Sequence, residues 1–439
     1  MTVQTAAKKP WFRLARHDVR STLPAAIRAA MQNGMLDRVF QNALTPEFIF
    51  PAIADPEPWQ GGLGDTKIMT RKGLIAPDTT PITGSDPSTG SYSLEQWTVT
   101  MDQYGKSVDT NMLGSKMTLA SKYMADVQNL GTHAGQSLNR LARDKLYAGY
   151  AGGRTWCTTA GSSDTSMIVS SVNGFAKVLV NGVPTDVSAS NPLTVTIGGT
   201  GNTVTGVNVG TKTLTLGTAR VDAVGDSVLA ANAPVTIRPG TQATAYNLAS
   251  GNLATFAMFR AAVIRLRKMS VPTVNGNYVA HIDADTEGQL FADSEFKQLY
   301  QGRGDSDVYR TLSLGTFGGL DWVRNLEAPT LATGTDGLSV NVHRPIVVGA
   351  GCLVAAPFED QAALLEETGV GDVGEIQMIE VAPGVQVARI IRPPQDRLMQ
   401  VVSTSWAWTG DYAAPSDSLS ASGDPALYKR AVVLEHSEN

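Results

Sequence analysis

The chain has 439 residues, 42% of them hydrophobic, enough to bury a large core and to divide into two to four domains. Its 35 Lys and Arg stand against 40 Asp and Glu, and the formal net charge of −5 excludes a dedicated high-affinity nucleic-acid binder, though not a surface that merely faces nucleic acid. Only 17% of the residues are charged, while 43 Gly and 22 Pro point to many turns and much β structure rather than to disorder.

The first 22 residues form a basic arm, in which Lys8, Lys9, Arg13, Arg16 and Arg20 stand against one acid, Asp18. A solvated tail is the simplest state for such a run, and it lacks the apolar segment of a secretion signal, so the chain reads as soluble and cytoplasmic when made. Pro24 opens an amphipathic helix over 24–44, where Ile27, Met31, Leu36, Val39 and Phe40 give a stripe that should dock on something. From 64 to 111 two extended arms, 65–75 and 91–109, flank a connector rich in Pro and Gly, and the second arm alternates through Leu94, Trp97, Val99 and Met101. A hairpin so long and so poor in apolar residues is not stable alone, so it should lie against another domain or another subunit.

The hairpin feeds into residues 113–149, where Leu119, Tyr123, Val127, Leu130, Ala134, Leu138 and Leu141 recur at steps of three and four. With Ser115 as N-cap, the pattern predicts one helix of roughly 33 residues and ~50 Å, a strut longer than the usual globular helix. Gly131 and Gly135 are unfavourable inside it, so they predict either a bend or a close crossing by another element. From 155 to about 240 the chain is rich in Val, Thr, Gly and Asn and nearly free of helix formers, with Asn173-Gly174 and Asn181-Gly182 placed as hairpin turns. This stretch reads as an inserted all-β module. Helix returns over 250–269, with Leu253, Phe256, Phe259, Val263 and Leu266 on one face. Then follow a strand over 277–282, helical stretches over 284–293 and 295–302, a strand over 344–348, a short helix over 362–367, and strands over 375–381, 384–391 and 398–408. The end, closing on 426–436, reads as a meander. The longest apolar run, 345–358, is shorter than the ~20 residues of a membrane span and suits a buried strand and turn.

Short motifs with a chemical mechanism fail in context. Gly369, Gly371 and Gly374 spell the dinucleotide fingerprint, but that loop needs a strand before it and a helix after it, and the order here is reversed. Gly105-Lys106-Ser107 lacks the first glycine of a phosphate-binding loop, Thr100 standing in its place. Arg303-Gly304-Asp305 reads as a turn between helices rather than a recognition tripeptide. Asp283 and Asp285 at a strand end could bind a metal or act as an acid/base pair, but only Glu287 stands near them in sequence, and helix capping is the favoured reading. His17, His133, His281, His343 and His436 are scattered, and Cys157 and Cys352 are too far apart for a zinc site or a disulfide framework, so buried thiols are expected. No catalytic residue, cofactor site or metal site is predicted.

The order of parts, basic arm, long hairpin, long helix, mixed central region and closing strands, resembles that of the major capsid proteins of tailed double-stranded DNA bacteriophages, which share the Hong Kong 97-type fold. The matching stretches are the hairpin GDTKIMTRKG to SYSLEQWTVTMDQYGKSVDTN, the helix MTLASKYMADVQNLGTHAGQSLNRLARDKLYAG, the strand and helix NYVAHIDADTEGQLFAD, the segment LGTFGGLDWVRN and the ending VQVARIIRPPQDRLMQVVSTSWAWTGDY. The resemblance implies an α+β chain with an N-terminal arm and helix (1–63), an extended β-hairpin loop (64–111), the spine helix of a peripheral domain (112–154), an inserted all-β domain (155–245), an axial domain (246–383) and C-terminal strands returning to the peripheral domain (384–439). It implies a structural virion protein and not an enzyme, assembling in the host cytoplasm into the pentamers and hexamers of an icosahedral shell around double-stranded DNA. The implied partners are copies of itself, a separate scaffolding protein, a portal, decoration proteins and packaged DNA in loose non-specific contact, with no cofactor and no membrane. Intersubunit contacts are expected at Lys67, Arg71, Lys72, Trp97, Tyr104 and Lys106 of the hairpin region and at Arg13 and Arg16 of the arm. Self-cross-linking members of the family join a Lys to an Asn between subunits, and no such pair is assigned here. The alternative is a decoration or adhesin-like virion protein that binds host glycans through the β module.

Overall fold

The computed structural model describes residues 34–59, 64–72, 94–113, 122–240, 242–301, 315–359, 375–382, 385–394, 396–419 and 429–438, with isolated positions between 75 and 92 and between 361 and 365. The basic arm, the first part of the 24–44 helix, most of the hairpin connector, Ser115, Leu119, most of 362–367 and the Arg303-Gly304-Asp305 string lie outside these residues.

Helix α1, Met35–Leu44, starts after Gly34, whose φ of 62° is a left-handed backbone that a helix does not run through, so of the helix expected over 24–44 the described part begins at Met35. Leu36, Phe40 and Leu44, four residues apart, are fully buried against the spine helix α2, Lys122–Tyr150. With 29 residues α2 is ~43 Å long. Its buried stripe runs through Tyr123, Val127, Leu130, Ala134, Leu138, Ala142 and Leu146, with Leu141 at the margin, and it stops where Gly153 takes φ +75°.

The two spine glycines mark a close crossing. A Cβ on Gly131 would lie 2.6 Å from the Phe40 carbonyl oxygen, and one on Gly135 would lie 2.7 Å from that of Leu44 and 2.8 Å from Glu47 Cβ. The backbone of α1 therefore rests directly on the spine, and the crossing element belongs to the same chain. One turn further, buried Asn139 accepts hydrogen bonds from the backbone N–H groups of Ile49 (3.2 Å) and Phe50 (2.8 Å), which fixes the loop leaving α1.

A mostly antiparallel sheet, with Asp55–Pro56 added parallel to Val354–Pro357 at one edge, is built around the long strand Val401–Ala413. That strand pairs with Asp102–Asn111 on one side, with Val385–Arg392 and then Glu375–Ala382 on the other, and with Val354–Pro357 at its far end. Val387, Ile391, Val402 and Trp406 share a core with α1 and the spine stripe. The arm expected over 91–109 is two strands. Leu94–Thr100 pairs with Thr66–Lys72 as the hairpin, whereas Asp102–Asn111 belongs to the large sheet. The break falls at Met101, whose N–H donates to Asp65 O at 2.8 Å and closes the hairpin. Gly105 sits in the second of these strands, where a Cβ would meet Trp406 O at 2.7 Å, so it serves a close backbone approach and not a phosphate loop.

The spine leads into a six-stranded antiparallel sheet in the order Arg154–Trp156, Ser227–Ala230, Leu193–Ile197, Thr200–Asn208, Thr213–Asp222 and Gly161–Ile168. A bridge between Cys157 and Val169 joins the first strand to the last, so the sheet closes into a barrel and leaves no long open edge. Leu193, Val195 and Ile197 point inward, as strict alternation requires. A separate hairpin, Lys177–Val180 with Val183–Asp186, turns at Asn181-Gly182 with φ of 51° and 81°, as that dipeptide predicts. Asn173-Gly174 is also a turn, but it joins strands of different sheets.

The third large sheet has the order Thr236–Ile237, Ala431–Leu434, Ile346–Val348, Tyr278–Ile282, Leu320–Arg324 and Thr316–Phe317. Helices α3 (Phe256–Lys268), α4 (Ala284–Ala292) and α5 (Ser294–Gln301) accompany one face, where Phe259, Val263, Leu266, Ala280, Val347 and Val432 pack together. The other face gives Val279, Ile346, Val348 and Val433 to the core of the spine. Burial on both faces is why these strands read in sequence as unbroken apolar runs. The final strand, Ala431–Leu434, thus leaves the expected meander and inserts beside Ile346–Val348, while Val354–Pro357 and Glu375–Ala382 join the sheet of Val401–Ala413. Cys157 and Cys352 are both buried. No helix among the described residues is long and apolar enough to cross a membrane.

Candidate functional site

The hairpin Thr66–Lys72 and Leu94–Thr100 is the feature whose two faces meet different surroundings. In its register Lys67, Met69 and Arg71 stand opposite Val99, Trp97 and Glu95. This face turns inward, and Met69, Trp97 and Val99 pack on Trp59, Val354 and Ala356. Burying side chains of this size contributes about 1.5–3 kcal/mol each, enough to hold the hairpin base on its own subunit. The opposite face carries Ile68, 62% exposed, and Leu94, with Ile75 and Tyr92 also exposed beyond the paired strands. The predicted alternation grouped Leu94 with Trp97, but the two are an odd number of residues apart, so a period of two puts them on opposite faces.

Of the anticipated contact residues, several are engaged within the chain. The Arg71 guanidinium lies 5.3 Å from the Trp97 ring centre and donates to Gly351 O at 3.3 Å. Lys67 Nζ donates to Pro58 O at 3.1 Å. Tyr104 stacks on Trp408 at 5.9 Å, and its hydroxyl is pushed up to about 12 by burial and by the neighbouring Asp411 and Asp102. Lys72 and Lys106 are exposed. Arg13 and Arg16 lie outside the described residues. Sequence reasoning passed over Ile68, although its place next to Met69 on a strand already assigns it to the outer face.

The hairpin is also clamped by the inserted barrel's satellite hairpin. Gln96 N–H donates to Gly182 O at 2.8 Å, and a Cβ on Gly182 would meet Leu94 O at 1.6 Å. Between hairpin, spine end and satellite hairpin lies a cleft of about 460 Å³ lined by Ile68, Gln96, Lys145, Val183, Asp411 and Tyr412. Lys145 Nζ and Asp411 are already an ion pair at 2.5 Å across its wall. Among the described residues the neighbouring strand Asp102–Asn111 pairs only with Val401–Ala413, and Asp102, Lys106 and Asp109 put charge along it.

Two further ionic clusters lie in the body. Arg140 grips Glu327 through two hydrogen bonds of 2.8 and 3.0 Å and ties the spine to the segment after Leu320–Arg324. Glu435 is buried between Arg238 and Arg344, with contacts of 2.6 and 2.8 Å. Burial alone would raise its carboxyl, but the two guanidiniums outweigh it and hold the group at about 2. His281 stacks near Phe50 and is kept neutral by burial, down to about 4.

No family model matches the chain, and no curated protein sequence matches it. Among solved structures it is similar to the capsid of Ralstonia phage GP4, with 13% identity, 100% of this chain and 99% of that chain covered, and a TM-score of 0.49. It is also similar to a chain of the capsid asymmetric unit of cyanophage Pam1, with 15% identity, 86% of each chain covered and a TM-score of 0.46. A third is the capsid structure of Helicobacter pylori bacteriophage KHP30, with 10% identity, 88% and 91% covered, and a TM-score of 0.45.

Proposed function

We propose that this chain is a major capsid protein of the Hong Kong 97 type, which self-assembles into the icosahedral shell of a tailed bacteriophage. The observation that carries the reading is the hairpin at 66–100. Its inner face is anchored to its own subunit through Met69, Trp97 and Val99, while its outer face offers Ile68 and Leu94 to something outside the subunit. An anchored base and an incomplete outer face suit an arm that is finished by a neighbouring copy. In this reading Lys67, Arg71 and Trp97 set the angle of the arm, and Ile68, Lys72, Leu94 and Lys106 meet the next subunit, together with Arg13 and Arg16 of the basic arm. Tyr104 supports the strand Asp102–Asn111.

The spine with its crossing helix forms the beam of a peripheral domain, the sheet containing Tyr278–Ile282 the centre of an axial domain, and the barrel an insertion clamped to the hairpin base. A net charge of −5 suits a container that must not grip the DNA inside it. The role is structural rather than catalytic, with pentamers and hexamers, a separate scaffold and a portal as partners, in a virion built in the host cytoplasm. Deleting 76–90 should leave a folded subunit, by circular dichroism and gel filtration, that forms no particles. Particles of normal size in electron micrographs of this variant would show that the hairpin does not carry assembly.

A further inference from the structure

The pair Asp283 and Asp285 gains a third member in the folded chain. Asp283 caps α4, its Oδ1 accepting from Thr286 N–H at 2.8 Å. Its Oδ2 is hydrogen-bonded to Nδ1 of His343, which arrives on the strand Val342–His343. A carboxylate only accepts, so Nδ1 carries the hydrogen and the ring turns Nε2 the other way. There Asp285 Oδ2 lies 3.9 Å off. His343 is 5% exposed, and its Nε2 has no hydrogen-bond partner among the described residues. A buried imidazole nitrogen left in this state calls for an explanation.

The spacing narrows the choice of ligand. At 3.9 Å the two atoms are too far apart for a hydrogen bond. Two ligands on a tetrahedral ion at ~2.0–2.2 Å each lie about 3.3–3.6 Å apart, so a bridging cation fits once the exposed Asp285 side chain closes by a few tenths of an ångström. Asp283, Asp285 and His343 offer ligand atoms within 4.8 Å of one another. The charges acting on the ring come from Asp283, Asp285 and Glu438, all anionic, whereas Glu287 of the same turn is already held by Arg324 at 2.7 and 2.8 Å. The Asp285 side chain is 57% exposed, so an ion has a way in and water can complete its shell. A nitrogen joined by carboxylate oxygen favours a borderline first-row ion over Mg²⁺ or Ca²⁺.

We infer that His343 Nε2 and the Asp285 carboxylate bind a divalent transition-metal ion of the zinc class, with Asp283 behind the imidazole fixing its orientation. The ion joins the start of α4 to a strand that pairs with His436–Ser437, and so clips the C-terminal strand to the central sheet.

The test uses the full chain stripped with a chelator, loaded with Zn²⁺ and desalted, with metal counted per chain by mass spectrometry and the unfolding midpoint read with and without Zn²⁺. About one ion per chain and a raised midpoint are expected for the wild type. Asp285→Asn alters an exposed group, so it should keep the metal-free midpoint while binding Zn²⁺ at least about tenfold more weakly. No uptake by the wild type, or equal uptake and equal midpoint shift by Asp285→Asn, overturns the inference. Equal retention of Mg²⁺ in place of Zn²⁺ overturns the assignment of ion class.

Discussion

Replacing Gly131 by alanine tests the crossing of α1 over the spine, because helix propensity and packing predict opposite signs. In an open helix alanine is better than glycine by about 1 kcal/mol. At Gly131 the new Cβ would start 2.6 Å from Phe40 O and 3.1 Å from Ala43 Cβ. Carbon–oxygen contacts settle at about 3.3 Å or more, so α1 must retreat by roughly 0.7 Å. It cannot do so freely, since Leu36, Phe40 and Leu44 are buried in the same seam. Forced shifts of this kind cost about 1–3 kcal/mol, which cancels the propensity gain of about 1 kcal/mol and leaves a net loss of up to about 2 kcal/mol. Gly288 in α4 is the internal control, because a Cβ there meets nothing within 4 Å and Gly288→Ala should be neutral or stabilising by up to about 1 kcal/mol. Urea unfolding of both variants, with hydrogen exchange read over 36–44, separates the cases. If Gly131→Ala matches the wild type in midpoint and in exchange over 36–44, the close crossing is wrong.

Asn139→Ala leaves the buried Phe50 N–H without its acceptor, while the Ile49 N–H keeps Glu47 O at 3.2 Å, so at about 1–3 kcal/mol for a buried unsatisfied group it should lower stability by about 1–3 kcal/mol. Unchanged hydrogen exchange at Phe50 would mean the loop is held by other groups. Stability should also fall in acid, in two steps of the same sign. His281 titrates at about 4 in the fold against 6.5 unfolded, so the unfolded chain takes up its proton first and stability drops as the pH falls from about 6.5 to about 4. Glu435, at about 2 in the fold against 4.5 unfolded, adds a second loss between about pH 4.5 and pH 2. Each step is roughly 3 kcal/mol, and unfolding midpoints at pH 7, 5.5, 4 and 3 should decline throughout. Glu435→Gln should reduce the pH dependence of the lower step, the remainder coming from Asp283, which is held at about 2 against 3.8 in the same window, and a slope unchanged by that substitution would refute its assignment.

What the sequence determined by itself lies in short-range periodicity. Steps of three and four from Tyr123 to Leu138 are enough to specify a long helix with one apolar stripe. Two glycines inside that helix call for either a bend or a neighbour at backbone distance, and the structure shows the neighbour. Asn181-Gly182 favours positive φ in a two-residue hairpin, and the alternation from Leu193 to Ile197 specifies a strand. None of these rules says which partner is met. The neighbour at Gly131 is α1, some ninety residues earlier, and the sequence offers no distance term with which to choose it over another subunit. Met101 divides an apparently continuous arm because two sheets compete for its backbone, and Ala431–Leu434 leaves the meander because a sheet buried on both faces accepts an all-apolar strand. The same limit hid the juxtaposition of Asp283, Asp285 and His343, since side chains sixty residues apart meet only when the strand carrying one is laid beside the helix carrying the others. Local chemistry thus specified the elements and their faces, and long-range pairing decided which faces were spent inside the subunit and which, as on Ile68 and Leu94, were left for another surface.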